Sequence, residues 1–268
     1  MGWPVAHSRS PALHNHWIKQ YELNGAYVLL PVEPEQLPDA LKGLRALGFA
    51  GCNVTLPHKV AAMQLVDHVD PMAKRMGAIN TIVVEKDGSL SGFNNDGFGY
   101  IQSLLDAQPD WQADAGPITV LGAGGAARAV VLSLADRGAK EIRLCNRSFD
   151  KAQALEREFG APVKAIPWES RHEALADVAL LVNATSLGMH GQGPLDLKLD
   201  HLPGHALVSD VIYIPMETPL LTAARARGNP TVNGLGMLLN QARPAFKAWF
   251  GVMPEITPEL RRAIEATF

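Results

Sequence analysis

The hydrophobic positions of the chain alternate between two periods along almost its whole length. Short apolar runs of strand length are followed by longer stretches in which apolar residues recur every three or four positions. This alternation is typical of sheets whose strands are connected by helices. The pattern therefore predicts an α/β protein.

The first third of the chain predicts a small α/β unit. Its first helix lies in "SRSPALHNHWIKQYELN", with Ser10 as N-cap, Pro11 at the first helical position, and Leu13, Trp17 and Tyr21 at helical spacing. Further predicted elements are a strand at 26–32, a helix at 35–48, a strand at 49–55, a helix at 56–67 with Pro57 in its first turn, and a hairpin at 79–94 closed by Asp87-Gly88.

The middle of the chain predicts a second unit. A helix from Asp96 leads into a loop with Pro109, Gly116 and Pro117, which we interpret as a connection between domains. The segment 117–148 then predicts a strand, a glycine turn, a helix that ends at Gly138, and a second strand. Further strands are predicted at 163–168, 178–185 and 206–213, a helix at 218–228, and helices over the last ~35 residues.

The glycine turn has the context that a dinucleotide site requires. The segment "GAGGAA", which comprises Gly122, Ala123, Gly124, Gly125, Ala126 and Ala127, follows an apolar strand and opens a helix. Small residues there permit a tight turn and bring a pyrophosphate close to the helix N-terminus. A glycine turn that only lets the helix pack on the strand is the alternative.

The segment "NRSFDK" indicates which dinucleotide binds. It lies about twenty residues beyond the glycine turn, where an NAD site places an acid for the ribose hydroxyls. Asn146, Arg147 and Ser148 stand there instead, and Lys151 follows. A guanidinium favours a 2′-phosphate, and basic residues are poorly placed at the positive end of a helix unless an anion binds. We therefore expect NADP rather than NAD, against the alternative of a solvated basic helix start.

Composition and charge exclude several classes of partner. Of 268 residues, 24 are Lys or Arg and 27 are Asp or Glu, so the formal net charge is -3 and no broad basic field attracts nucleic acid or a membrane. No apolar run reaches the ~18–20 residues of a membrane span. Cys52 and Cys145 lie on separate predicted strands, which argues against a disulfide framework and favours the cytoplasm.

Polar side chains cluster at three places in the first unit. Ser8 and Ser10 flank a helix entrance, where hydroxyls and amides can hold a carboxylate, although capping alone explains Ser10. The second cluster has Asn53, Thr55 and Lys59, which lead from the end of a strand into a helix, the kind of strand end where α/β sheets bind ligands. The third cluster has Asn80 at the start of the hairpin and Asp96 after it. A surface lysine and a helix-capping aspartate are the alternatives for Lys59 and Asp96.

Taken in order, the motifs resemble the shikimate dehydrogenase family. They are "GWPVAHSRSP", "GCNVTLPHK", "GAINT", "NNDG", "GAGGAAR", "NRS", "VNATSLGM" and "GLGMLLNQA", and they cover nearly the whole chain. The resemblance implies an α/β substrate domain at 1–97 plus 233–268, a doubly wound Rossmann domain for NADP at 98–232, and a cleft between them. It implies reversible reduction of 3-dehydroshikimate to shikimate with NADPH, in aromatic amino-acid biosynthesis.

The resemblance also implies roles for individual residues. Lys59 and Asp96 match the catalytic pair; we hypothesise that Lys59 donates the proton while Asp96 orients Lys59 and a substrate hydroxyl. The matching substrate-binding residues are Ser8, Ser10, Thr55, Asn80, Asp96, Tyr213 and Gln241. The matching cofactor residues beyond the glycine turn are Asn146, Arg147, Ser148, Lys151, Thr185, Ser186, Ile212, Gly234 and Met237, with Ala184 beside them.

The chain departs from the family pattern in a few positions. Asn95 stands where a threonine is usual before the catalytic acid, Asn233 where an acid is frequent, and Trp3 where a smaller polar residue is usual. The family also has several residues of strand before the motif at Gly2. We expect either an upstream start or a looser first domain.

Three other functions compete with this interpretation. A quinate or dual quinate/shikimate dehydrogenase is the nearest, although "NRSFDK" argues against an NAD-dependent form. A non-catalytic sensor of substrate or NADP would not need Lys59 and Asp96. A hydrolase lacks its G-x-S-x-G motif, and His14 and His16, two residues apart, lie on different helix faces and form no metal pair. We expect a monomer or a homodimer.

Overall fold

The computed structural model describes all residues from 1 to 268, and the chain forms two separate sheets. In chain order, the elements of the first part are α1 (Ser10–Gln20), α2 (Leu37–Ala46), β1 (Gly51–Asn53), α3 (Lys59–Met63), β2 (His68–Val69), α4 (Pro71–Met76), β3 (Thr81–Val84) and β4 (Leu90–Phe93). They continue with α5 (Asp96–Ala107), β5 (Ile118–Leu121), α6 (Gly125–Asp136), β6 (Ile142–Asn146), α7 (Phe149–Phe159), β7 (Val163–Pro167), β8 (Leu180–Asn183), β9 (Leu207–Asp210), α8 (Pro219–Ala226), β10 (Thr231–Val232), α9 (Leu235–Phe250) and α10 (Pro258–Glu265).

Two units divide the chain. The first unit comprises Met1–Asn95 and Leu239–Phe268, and the second comprises Asp96–Leu238. The sequence places the domain boundaries at 97/98 and 232/233, a few residues away. The assignment of one domain to substrate and the other to NADP stays a prediction.

The first unit is built on a four-stranded sheet in the order β1-β3-β4-β2. The predicted hairpin forms from β3 and β4, which pair antiparallel from Thr81 with Phe93 to Val84 with Leu90. Its turn contains Gly88 at a φ of +84°, a conformation that costs glycine little. Because β1 pairs antiparallel with β3, the end of β1, the start of β3 and the end of β4 lie at one edge of the sheet.

The start of α1 differs from the prediction. Ser10 is the first helical residue, and Arg9 takes the N-cap position without a side-chain capping bond. The backbone N–H of Ser10 instead points to Oγ of Ser8, at 3.3 Å. The prediction of Ser10 as N-cap was therefore wrong by one residue, because a serine two positions earlier supplies the hydroxyl.

Two further local predictions were wrong. No strand forms at 26–32, because a strand needs a partner and only Gly2 bridges to Pro31. Pro57 precedes α3, which begins at Lys59, rather than lying in its first turn. Both segments instead form loops beside the edge of the sheet where β1 ends.

The second unit contains six parallel strands in the order β10-β9-β8-β5-β6-β7. This is the order of a doubly wound Rossmann sheet, in which the chain reverses direction of winding between β5 and β8. Its central strands β5 and β8 are buried along their whole length, as expected for strands covered on both faces. The predicted α/β class and the doubly wound Rossmann domain are confirmed.

None of the ten helices combines the length and hydropathy that a membrane crossing needs. Cys52 and Cys145 are both buried free thiols. No group of three or more His, Cys, Asp or Glu side chains is placed to hold a metal ion.

Candidate active site

Ser8, Ser10 and Thr55 come together in the first unit. They line one small pocket, the serine pocket, beside the start of α1 and the loop after β1. The remaining lining residues are Met1, Val5, Tyr27, Val28, Leu29 and Asn53. The pocket thus presents several hydroxyl groups and one side-chain amide beside apolar residues, a combination that suits a small carboxylate-bearing ligand.

Tyr27 is a pocket residue that the sequence analysis did not assign to the site, and it contacts Asn53 of the predicted polar cluster. The Tyr27 hydroxyl donates a hydrogen bond to Oδ1 of Asn53 at 2.8 Å. Burial raises the pKa of Tyr27, and its contacts with Ser10 and Asn53 offset part of this effect. The hydroxyl therefore remains a neutral donor at physiological pH. Tyr27 escaped notice because its segment was predicted to be an ordinary strand.

Asn80 is buried and hydrogen-bonded to several neighbours. It is 3% exposed and starts the hairpin. Its Oδ1 accepts from the backbone N–H of Asn95 at 3.0 Å and from Oγ1 of Thr81 at 2.9 Å. Its Nδ2 donates to Oε1 of Gln241 at 3.4 Å. The structure thus brings Asn80 and Gln241 together, although 161 positions separate them in sequence.

Asn53 joins this amide pair to the serine pocket. Its Nδ2 donates to the backbone carbonyl of Asn80 at 3.1 Å and to Oγ1 of Thr81 at 3.2 Å, while its Oδ1 accepts from Tyr27. A chain of hydrogen bonds, the polar network, therefore runs from Tyr27 through Asn53 and Asn80 to Gln241. Such a network fixes the orientation of each amide and hydroxyl before a ligand arrives.

Lys59 begins α3, four residues after Thr55, and its side chain is half-buried. The backbone carbonyl of Lys59 accepts a hydrogen bond from the N–H of Ile79 at 3.0 Å. This bond ties the start of α3 to the segment that carries Asn80. The start of α3, and Lys59 with it, therefore lies beside the same end of the sheet as the polar network.

Asp96 begins α5 directly after Asn95, and its side chain is half-buried. Asn95 is held by two bonds: its N–H donates to Asn80, and its Nδ2 donates to Oγ1 of Thr81 at 3.0 Å. The amide that replaces the usual threonine therefore joins the polar network. The residue before the predicted catalytic acid is fixed at the end of β4.

The glycine turn between β5 and α6 fits a pyrophosphate. Gly122 has a φ of +109°, and a Cβ there would lie 2.8 Å from the carbonyl oxygen of Ala184. Gly124 and Gly125 face open space at the start of α6, where a Cβ meets nothing within 4 Å. Ala126 and Ala127 continue the helix without bulk. Backbone N–H groups at this helix start are therefore accessible to an anion.

The predicted phosphate clamp lies at the end of the adjacent strand. The N–H of Gly122 donates to the carbonyl of Cys145 at 2.8 Å, so the glycine turn and the end of β6 are neighbours. Arg147, Ser148 and Lys151 are exposed there, and Nδ2 of Asn146 donates to the carbonyl of Ser148 at 2.8 Å. Within residues 146–151, Arg147 and Lys151 outnumber the one acidic residue, Asp150 in the first turn of α7, so the local charge favours a phosphate.

The remaining cofactor residues follow the ends of β8 and β9. Thr185 and Ser186 follow β8, and a Cβ added to Gly122 would lie 3.1 Å from Cγ2 of Thr185. Ile212 and the half-buried Tyr213 follow β9. The N–H of Gly234 donates to the carbonyl of Ile212 at 2.9 Å, and Met237 lies in the first turn of α9. The predicted NADP residues therefore share one edge of the Rossmann sheet.

His14 was considered from the sequence only as a possible metal partner of His16, and its burial was not predicted. It is 0% exposed and stacks on Tyr27 with 4.3 Å between ring centroids. Trp17, Phe246 and Trp249 complete an aromatic cluster around it. Burial lowers the pKa of His14 to about 3, and the nearby Asn53 offsets part of this effect. Its spacing of three from Trp17 was the signal that it faces the core.

Models of known families match most of the chain. Residues 1–82 match the shikimate dehydrogenase substrate binding domain. Residues 107–189 match the shikimate / quinate 5-dehydrogenase family, and residues 234–265 match the shikimate 5'-dehydrogenase C-terminal domain.

Individual relatives agree with the family models. A curated protein of Paramagnetospirillum magneticum, shikimate dehydrogenase (NADP(+)), is 53% identical over 97% of this chain and 95% of its own length. The shikimate 5-dehydrogenase of Thermus thermophilus, solved with NADP(H) and shikimate, has a TM-score of 0.88 and 38% identity over 100% of this chain and 97% of that one. A quinate dehydrogenase of Corynebacterium glutamicum, solved with NAD, has a TM-score of 0.91 and 29% identity over 99% of this chain and 96% of that one.

Proposed function

The chain belongs to the shikimate dehydrogenase family, and on this premise we propose how its own residues reduce 3-dehydroshikimate to shikimate. It is an NADP-dependent oxidoreductase of the shikimate pathway. The observation that carries the proposal is the continuous polar network in the first unit, which runs from the serine pocket to Asn80 and Gln241.

The serine pocket suits the carboxylate group of the substrate. Ser8, Ser10 and Thr55 offer hydroxyl donors, and the neutral Tyr27 hydroxyl lies beside them. A carboxylate accepts several hydrogen bonds, and hydroxyls provide them without a buried charge. Asn80 and Gln241, which are bonded to each other, present amide groups that suit ring hydroxyls. The network thereby fixes the orientation of the ring.

The residues of the second unit fit NADP. Gly124 and Gly125 leave open space for the pyrophosphate, and Arg147 and Ser148 stand where the 2′-phosphate would bind, with Lys151 in a supporting role. Thr185, Ser186, Ile212, Gly234 and Met237 would line the nicotinamide side. When bound as NADPH, the cofactor supplies a hydride to the carbonyl carbon of the substrate.

Lys59 supplies the proton in this proposal. Hydride addition leaves a negative charge on the carbonyl oxygen, and a proton must reach that oxygen to give the alcohol. An ammonium group held at the start of α3 can donate this proton and stabilise the developing charge. Asp96, an acceptor, would orient a substrate hydroxyl, and Tyr213 would contact the substrate from the segment after β9.

The proposal also covers the cellular compartment, the oligomeric state and the presence of catalysis. The buried free thiols of Cys52 and Cys145 support a reducing compartment, so we place the enzyme in the cytoplasm. We expect it to act as a monomer or a homodimer. Retention of Lys59 and Asp96 argues against a non-catalytic sensor.

A steady-state assay of the purified protein tests the proposed function. Shikimate and quinate are each supplied with NADP and with NAD, and kcat/KM is measured for all four pairs. We expect shikimate with NADP to be the best pair, because Arg147 stands where an NAD site has an acid. A higher kcat/KM for quinate with NAD would overturn this proposal in favour of a quinate dehydrogenase.

A further inference from the structure

A buried carboxyl group lies at the edge of the Rossmann sheet, outside the residues proposed to contact substrate or cofactor. Asp210 ends β9 and is 1% exposed. Its Oδ1 accepts from the N–H of Ile212 at 3.0 Å and its Oδ2 from Oγ1 of Thr218 at 2.8 Å. Nδ2 of Asn183 lies 3.1 and 3.2 Å from the two oxygens. A buried carboxyl is costly unless donors surround it, so this arrangement requires a reason.

Asn183 passes the interaction on to the next strand. It is the register partner of Asp210 on β8 and is fully buried. Its Oδ1 accepts from both the N–H of Thr185, at 3.1 Å, and Oγ1 of Thr185, at 2.7 Å. Thr185 Oγ1 in turn accepts from the N–H of Leu187 at 3.0 Å. Through Asn183, Asp210 is therefore linked to the segment after β8 as well as to the segment after β9.

The chemistry of a carboxylate fixes the direction of these bonds. An ionised carboxyl only accepts, so the Asn183 amide must turn its NH₂ toward Asp210. Its oxygen is then left for Thr185. Burial raises the pKa of Asp210, and the bonds from Ile212, Thr218 and Asn183 act in the opposite direction and favour the ionised form.

Glycine packing limits the alternatives open to these two segments. The carbonyl of Ala184, before Thr185, lies 2.8 Å from the position of a Cβ on Gly122. The carbonyl of Val211, before Ile212, lies 2.0 Å from the position of a Cβ on Gly234. A glycine therefore packs closely against the carbonyl that precedes each segment. The hydrogen bonds to Asp210 and Asn183 determine the direction in which the two segments leave the sheet.

We propose that Asp210 is a positioning residue, which acts through Asn183 and Ile212 to set the two segments that receive the nicotinamide end of the cofactor. This inference rests on the proposed roles of Thr185 and Ile212. It concerns a residue that does not itself touch the cofactor. Nδ2 of Asn183 also donates to the carbonyl of Leu187 at 3.2 Å. With an asparagine at 210, one acceptor oxygen is replaced by an NH₂ donor, so a contact with Asn183 or the bond from Thr218 is weakened and the Asn183 amide is held less firmly against Thr185.

Binding measurements with two ligands test the proposal. NADP+ spans both ends of the site, whereas adenosine 2′,5′-bisphosphate has the phosphate end without the nicotinamide. In Asp210→Asn, we expect about tenfold weaker binding of NADP+, with the bisphosphate affected less than about twofold. The exposed Asp200→Asn carries the same charge change and should bind both ligands as the parent does.

A double-mutant cycle separates positioning from general damage. If Asp210 acts through Asn183 on Thr185, adding Asp210→Asn to Thr185→Val should weaken NADP+ binding much less than it does in the parent protein. Additive losses, equal losses for both ligands, or unchanged NADP+ binding would each overturn the proposal.

A second variant covers the case in which Asp210→Asn does not fold. Thr218→Val removes one donor to the carboxylate and should weaken NADP+ binding about threefold, again without affecting the bisphosphate. Equal losses for both ligands in this variant would also overturn the proposal. None of these measurements involves shikimate, so a failure of the proposed reaction would be recognised separately, in the four-pair assay.

Discussion

Lys59 is held at the first position of a short helix, α3, at the positive end of the helix dipole. A cation is tolerated there when a developing negative charge compensates it, which is what a carbonyl undergoing reduction provides. The side chain is also half-buried, so water does not fully screen it. This placement distinguishes Lys59 from the exposed lysines of the same unit.

We expect Lys59→Ala to lower kcat by about 10²–10⁴-fold, with a much smaller change in KM, because the lysine acts mainly in the transition state. Steady-state kinetics of shikimate oxidation and of the reverse reaction measure both constants. The exposed Lys74→Ala in α4 is the matched control and should retain parental turnover. A kcat within a few-fold of the parent value would show that Lys59 is not the proton donor.

Arg147 determines the choice of cofactor in our proposal. Its loss should weaken NADP+ binding by about 10–100-fold, the value of a charge-assisted hydrogen bond, and leave NAD+ binding nearly unchanged. Titration calorimetry with each dinucleotide measures the two affinities. Lys151→Ala should have the same selectivity but a smaller effect, because its ammonium lacks the bidentate geometry of a guanidinium.

Arg157→Ala is the matched control for Arg147. Arg147 lies just before α7, whereas Arg157 is exposed near the end of α7, about 12 Å along the axis from the first residue of the helix. Its removal changes the net charge equally but should not alter cofactor selectivity. Equal losses for NADP+ and NAD+ in Arg147→Ala would refute the phosphate clamp.

The residues proposed to carry chemistry could be predicted from the sequence, whereas residues that depend on packing could not. Lys59 and Arg147 stand in short motifs whose neighbours indicate their role. Tyr27 and Asp210 are different, because their importance comes from burial and from partners distant in sequence. No local pattern encodes such partners, so these residues became visible only in the fold.

At the scale of the elements, long periodic segments were predictable and short ones were not. The hairpin of β3 and β4 and the unit of β5, α6 and β6 formed as predicted, because turn glycines and apolar periodicity agree with the tertiary structure. The segment 26–32 failed because strand formation depends on a partner. The two-residue strands β2 and β10 carry too little sequence signal to be predicted.

The burial of His14 in the first helix predicts how the stability of the protein depends on pH. His14 in α1 has a pKa of about 3, against an ordinary value of 6.5, because it is buried among aromatic rings. Between these values the unfolded chain binds a proton that the folded protein does not. Stability should therefore fall as the pH decreases from about 6.5 toward 3, with this residue contributing up to about 1.4 kcal/mol per pH unit.

His14→Phe keeps the stacking on Tyr27 but removes the titrating group. Urea unfolding at several pH values should show a shallower loss of stability below pH 6.5 in the variant than in the parent. The exposed His205→Gln measures the effect of losing an imidazole from the surface. An unchanged slope in His14→Phe would mean that His14 does not control the acid sensitivity of this unit.

At the scale of the whole molecule, the chain builds its first unit from two distant segments, 1–95 and 239–268. Contacts such as that of Trp249 Nε1 with the carbonyl of Ile82, at 3.0 Å, join them. Gln241 reaches the polar network only because of this discontinuous arrangement. The second unit is continuous and contains every predicted NADP residue.

Hydrogen exchange with single ligands tests the assignment of one ligand to each unit. Adenosine 2′,5′-bisphosphate should slow exchange around the glycine turn at 122–126 and in the segment 146–151, because its phosphates bond to these backbone and side-chain groups. Shikimate alone should slow exchange at 8–10, 53–59 and 80–81, where the serine pocket and the polar network lie. The short ligands are informative because each lacks the groups that the other unit is proposed to bind. Protection of the segments at 8–10 and 53–59 by the bisphosphate, or of the glycine turn by shikimate, would contradict the division into a substrate domain and an NADP domain.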